Sequence, residues 1–199
     1  MEIESRREAI ASGDPSRSMP ALAMLRHLPE EQAIPLLLLG LEQSTFMVRS
    51  LACAGLGVKR SEAGWQALVA ALQHDEDANV RAEAANALAS YGHERAWPLL
   101  RQAFAQDGQW LVRCSILSAL AENPEMPPAW LLELAQLAVA DGDGTVRVGG
   151  AEILGRLAWQ GDQSTAAPDW ASEARLLLQS LQQDSDHRVV AAALNGLQG

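Results

Sequence analysis

The sequence predicts an all-α protein, a right-handed superhelical stack of about five to six short helical hairpins. Three observations carry this expectation. Ala and Leu are abundant while aromatics make up 5 % of the 199 residues, a balance that favours helix over sheet. One short motif returns along the chain, with its apolar residues at helical spacing in every copy. Clusters of acidic or turn-forming residues precede most copies, as helix breaks and N-caps do.

The motif is Val-Arg, two residues, a small residue, three residues, then Leu or its equivalent. Val48-Arg49 leads to Ala52 and Leu56, and Val80-Arg81 to Ala84 and Leu88. Val112-Arg113 leads to Ile116 and Leu120, and Val146-Arg147 to Gly150 and Leu154. The last copy is Val189-Val190, with Ala193 and Leu197. The starting valines are separated by 32, 32, 34 and 43 residues. Counting from the valine, positions 1, 5 and 9 form one buried stripe. The residue at position 5 is small because two helices approach closely only where no large side chain intervenes.

The elements follow in order. Residues 1–28 form a degenerate N-terminal cap, with helices over 2–12 and 16–28 and a polar outer face. First helices of the hairpins are expected over 30–43, 61–74, 93–106, 128–140 and 169–183. Second helices are expected over 46–58, 77–91, 109–122, 144–159 and 187–198. Pro98 falls where a helix tolerates proline, whereas Pro35 is expected to bend its helix. The breaks lie at Asp75–Asn79, Asp107-Gly108, Asp141–Gly144 and Asp184–Asp186. The segment 161–168 is rich in small and polar residues and is expected to be a loop inserted between repeats, which accounts for the longest spacing. The whole of 1–199 is taken as a single repeat domain.

Tetratricopeptide and ankyrin repeats have similar periods, but their signature residues are missing. The Val-Arg-x-x-Ala-x-x-x-Leu-Gly core matches the short HEAT-like class, most clearly at Asp77–Leu88. From about residue 30 to 199 the chain resembles the phycobilisome-lyase HEAT-like repeat family. Its length and the stretch Gln109-Trp110-Leu111-Val112-Arg113 look like the smaller subunit of a heterodimeric phycobilin lyase. The resemblance implies a C–S bond-forming lyase subunit or chaperone-like factor in cyanobacteria, with a phycobiliprotein subunit as client and a larger HEAT-like partner. A bilin would be a substrate, and no cofactor is implied. The Asn-His-Cys-Gln-Gly-Asn signature of bilin isomerisation does not occur, so that activity is not implied.

Charge narrows the classes. The formal net charge is −10, from 25 acidic and 15 basic residues, which argues against nucleic acid and anionic membrane as partners. Cys53 and Cys114 fit no disulfide framework or redox motif, so a reducing compartment is expected. With no apolar signal region or membrane-length run, the expected location is the cytoplasm.

Candidate site residues come from the face that second helices turn to the concave side, at positions 3, 7 and 11 with 4 alongside. Beyond Ser50 and Leu51 these are Glu83, Asn86 and Ser90, then Cys114, Ser118 and Glu122, then Glu152 and Arg156. Trp110 starts a second helix beside this face, and tryptophan is favoured in binding hot spots; Trp65 and Trp97 lie where they pack between repeats. Cys114 points outward, where a low-pKa thiol would hold a chromophore transiently, although a client cysteine makes this unnecessary. Cys53 falls beside Ala52 and belongs to the core. The arginines after each valine, including Arg113, are either a cation ladder for an anionic ligand or ties to the Asp-rich turns, and repeat-periodic residues usually serve the repeat.

Asp141-Gly-Asp-Gly-Thr145 lacks the glycine of a calcium loop, since Val146 stands there. His27, His74, His93 and His187 have no metal spacing, and only His93-Glu94 resembles the pairs of HEAT-type metal hydroxylases. No catalytic residue is assigned. A lyase subunit should gather Trp110, Cys114 and the polar groove residues into one pocket; a non-enzymatic scaffold for assembly, regulation or degradation of another complex should present a shallow groove.

Overall fold

The computed structural model describes residues 3–163 and 168–198. Among the described residues all regular structure is helical, as twelve α-helices and one short 3-10 turn. The helices gather into two compact units, Met1–Phe104 and Ala105–Gly199. The division falls in the last turn of one helix.

The first unit holds α1 (Ile3–Ile10), α2 (Pro15–Ala23), the 3-10 turn Met24–His27, α3 (Glu30–Leu41), α4 (Phe46–Val58), α5 (Glu62–His74), α6 (Ala78–Ala89) and most of α7 (His93–Gln106). Here α4 packs on α2, α3 and α6, and α6 also packs on α5. The second unit holds α8 (Trp110–Ala121), α9 (Pro128–Val139), α10 (Gly144–Asp162), α11 (Asp169–Leu181) and α12 (His187–Gln198). Here α10 is central, touching α8, α9, α11 and α12. α3 continues through Pro35 to Leu41. α10 runs on to Asp162, so Gly161 and Asp162 of the expected insert are helical, and residues 164–167 lie outside the described residues.

The periodic residues form the core. Val80, Val112, Val146 and Val189 have no exposure, and Val48 has 2 %. Ala52, Ala84, Ile116 and Ala193 are likewise fully enclosed. Gly150 is buried, with Ala138 and Val139 filling the space that a side chain there would need. Leu56, Leu88, Leu120 and Leu154 close the stripe, while Leu197 of the last copy is only half-buried. Elsewhere helices meet backbone to backbone. A Cβ on Gly155 would stand 2.8 Å from the Gly196 Cα, so α10 and α12 touch only because both residues are glycine.

The arginine ladder binds the repeats together. Arg49 Nε and Nη2 donate to Asp75 Oδ2 and Oδ1 at 2.8 and 2.9 Å, and Nη1 donates to the Gln43 and Ser44 carbonyls. Arg147 repeats this arrangement on Asp184, with Nη1 on the Asp141 and Gly142 carbonyls. Arg113 Nε lies 2.7 Å from Asp141 Oδ2 as an ion pair, and Nη1 donates to the Asp107 carbonyl. Arg81 Nη1 donates to the Asp75 carbonyl.

The turns are built from pairs of aspartates two residues apart. Asp75, Asp141 and Asp184 meet the arginines and also accept the N–H of Asp77, Asp143 and Asp186. Asp77, Asp143 and Asp186 then accept the N–H of Asn79, Thr145 and Arg188 at the starts of α6, α10 and α12, the ordinary N-cap bond. The turn therefore satisfies exposed helix-end amides and anchors a neighbouring arginine with the same residues.

Candidate functional site

Four of the expected residues share one cleft. Ser118 on α8, Glu122 just past its end, and Glu152 and Arg156 on α10 line a cavity of about 220 Å³, over a floor of Leu117, Ala121, Gly149 and Ile153. Each helix contributes residues from one face only. On α8 the spacing is i, i+1, i+4 and i+5; on α10 it is i, i+3, i+4 and i+7. Gly149 keeps the floor open, since a Cβ there would reach 3.0 Å from Leu117 Cδ1.

Arg156 is the chemical centre of this cleft. Its Nη1 donates to the carbonyl of Ala121, the last residue of α8. A helix C-terminus has unpaired carbonyls and a partial negative charge, so this contact suits a cation. The Nε is buried without a hydrogen-bond partner, and among the described residues Arg156 forms no ion pair. Burial pulls its guanidinium below the usual arginine value. An N–H held out of water without an acceptor is costly. Glu122, Glu152 and Ser118 are exposed around it and offer acceptors and a hydroxyl.

The other expected residues lie elsewhere. Trp110 is the first residue of α8 and is 46 % exposed, and Cys114 lies one turn further on; neither lines the cleft. Burial raises the Cys114 thiol pKa, Asp143 and Asp141 push the same way, and Arg113 opposes them. This is the reverse of the lowered pKa that a reactive thiol needs. Cys53 is fully enclosed, and burial pushes its thiol up to about 12. Arg113 is engaged with Asp141 and Asp107. In the first unit, Glu83 is half-buried and its carboxyl is raised by desolvation, against which an Asn86 hydrogen bond acts. Ser90 Oγ donates to the Gly57 carbonyl on α4, and its own carbonyl accepts from Arg60, so Ser90 ties α6 to α4. Trp65 is buried edge-on to Tyr91, with the Arg95 guanidinium 4.0 Å from its ring centre.

The apolar floor of the cleft was not among the expected residues. Its signal is present as Gly149 at position 4, where neighbouring copies carry Glu83 and Ser115. Among the described residues no cluster of His, Cys, Asp and Glu has the geometry to hold a metal ion. Asp141 is taken by Arg113 and Asp143 by the start of α10.

A family model described as HEAT repeats matches residues 34–121. No curated protein matches the sequence. Among solved structures, human deoxyhypusine hydroxylase in complex with glycerol is similar at 15 % identity and TM-score 0.51, over 98 % of this chain and 96 % of that one. Computationally designed armadillo repeat proteins for modular peptide recognition are similar at 19 % identity and TM-score 0.52, over 99 % of both chains. The complex of CpcE and CpcF of phycocyanin lyase from Nostoc sp. PCC7120 aligns at 19 % identity and TM-score 0.42, over 100 % of both chains. The chain has an all-α HEAT-type solenoid fold, and fold alone does not assign a chemistry. Among the described residues no helix is long and apolar enough to cross a membrane.

Proposed function

We propose that this chain is a protein-binding HEAT-like solenoid that holds a phycobiliprotein subunit during chromophore attachment, as a lyase subunit or chaperone working with a larger HEAT-like partner. The observation that carries the binding role is the α8/α10 cleft, where the Arg156 guanidinium, two carboxylates and a hydroxyl line the walls over an apolar floor. The repeat motif, through the family it resembles, carries the choice of client. The chain contributes position rather than a nucleophile, because the Cys114 thiol is raised and half-buried. Holding the client cysteine against the bilin converts a bimolecular encounter into a local one.

A second reading is a non-enzymatic scaffold for another complex. It is favoured by Trp110 and Cys114 lying outside the cleft. The test is to add phycocyanobilin and phycoerythrobilin to the purified chain and follow absorbance and fluorescence, with and without an apo-phycobiliprotein subunit and a larger HEAT-like lyase subunit. Sharpened, red-shifted absorption or covalent transfer to the client, lost in Arg156→Met, is the expected result. No spectral change and no client complex in any combination overturns the chromophore reading and leaves the scaffold.

A further inference from the structure

The first unit contains a second cavity with a different chemistry. It measures about 210 Å³ and is lined by Leu22, Leu25, Leu37, Leu51, Ala54 and Val58 from α2, the 3-10 turn, α3 and α4. Its polar lining side chains are Arg26 and Lys59, and none of its lining residues is acidic. Lys59 is the single lysine of the sequence. Arg26 Nε donates to His27 Nε2 at 3.0 Å. Among the described residues neither Arg26 nor Lys59 forms an ion pair.

Ten more acids than bases stand in this chain, and Arg49, Arg95, Arg113, Arg147, Arg175 and Arg188 each find a carboxylate. Among the described residues other cations, such as Arg156, also lack a carboxylate, but Arg26 and Lys59 stand together on the lining of this one apolar cavity. A position near the end of α4 favours a cation through the helix dipole, but this does not account for the apolar cavity between them. A cavity of about 150 Å³ accommodates a benzene-sized molecule, so this one accommodates a chain or ring of roughly eight carbons. Val58 at the mouth is 67 % exposed, which leaves the cavity open to a small ligand.

We propose that this cavity binds a small amphiphilic carboxylate, its apolar body among the leucines and its carboxylate between Arg26 and Lys59. The apolar walls supply affinity and the two cations select the charged end. The site is independent of the α8/α10 cleft and of the client proposed for it.

Octanoate is the probe, with 1-octanol as the uncharged comparison, and calorimetry is the first readout. The second uses the lone lysine. Reductive methylation with labelled formaldehyde keeps the Lys59 charge and gives one side-chain NMR signal besides the terminal amine. Octanoate should bind one-to-one with Kd below about 1 mM and move the Lys59 signal. Octanol should bind at least about tenfold more weakly. Val58→Asp, an exposed change that brings a like charge to the mouth, and the double variant Arg26→Gln/Lys59→Gln should each weaken octanoate by about tenfold or more. Ala54→Phe should block both ligands, with circular dichroism verifying its fold. Absence of saturable octanoate binding, equal binding of octanol, or unchanged affinity in the folded Val58→Asp and double variants would overturn the proposal.

Discussion

Arg49 is the one charged side chain buried among the described residues, at 8 % exposure, and its removal tests whether the ladder holds the stack. Arg49→Met keeps the aliphatic stem and deletes the guanidinium. Asp75, whose side chain is 11 % exposed, then keeps only the Asp77 N–H, and the Gln43 and Ser44 carbonyls lose a donor. A largely buried carboxylate stripped of its partner costs about 3 kcal/mol. Asp75→Asn alone leaves the guanidinium half-satisfied, and the double variant removes both charges. The cycle should therefore show a coupling of about 2 kcal/mol. Urea unfolding followed by far-UV circular dichroism reads this directly, and Arg49→Met should lower the midpoint by about 1 M at a typical slope. A coupling below about 0.5 kcal/mol would mark the pair as an ordinary solvated one and refute the claim that the ladder binds the repeats.

Gly155→Ala should destabilise by about 1–3 kcal/mol, because its Cβ meets backbone at 2.8 Å; Gly108→Ala, which has open space, should not. A melting curve that treats the two alike removes the close-contact argument. Acid should unfold the protein in a defined window. Asp77 is held below its ordinary value by Asn79, Asp143 by the Thr145 N–H, Asp184 by Arg147, and Asp186, through Arg188, at about 2. Groups lowered in the folded state contribute stability that is complete above the unfolded value of about 4 and is lost as pH falls through the folded one. Urea stability should thus drop from about pH 4 towards about 2, and a flat profile there contradicts the capping geometry. Cys53 contributes the opposite sign, since its raised thiol favours the fold below about pH 8.5 and loses that contribution as pH rises towards about 12. In native protein a thiol reagent should modify Cys114 slowly and Cys53 only on unfolding; two equally fast thiols would show that Cys53 is not enclosed.

The fold was legible because its signal is periodic. The expected second helix 46–58 is α4 as found, and the expected first helix 93–106 is α7. The reading failed where tertiary contact overrode a local cue. Gly161 signalled a break after residue 159, yet it sits inside α10, where its missing Cβ leaves room for Ala171 of α11. The polar half of the cleft was legible, since positions 7 and 11 of α8 and α10 face the same way. The apolar half was not, because Leu117, Gly149 and Ile153 carry no sign of facing a cavity rather than core. Trp110 and Cys114 belong to the N-terminal half of α8, whereas the cleft opens on its C-terminal half.

Arg147 and Arg156 stand on the same helix and separate the two demands on this molecule. Arg147 falls on the repeat and spends its side chain on Asp184 and two carbonyls. Arg156 falls off the repeat, donates to one carbonyl, and keeps a buried N–H unused. Folding explains the first and leaves the second unexplained, since a stack gains little from an unsatisfied donor. Arg147→Met should therefore cost about 2–3 kcal/mol of stability. Arg156→Met forfeits one hydrogen bond, about 1 kcal/mol, and removes an unpaired buried group, so its net effect on stability should be close to zero. Client binding should show the reverse order, with Arg156→Met weakening a captured subunit by about tenfold or more and Arg147→Met leaving it unchanged below the melting point. If Arg156→Met instead destabilised as much as Arg147→Met and bound its client normally, the α8/α10 cleft would be a packing feature.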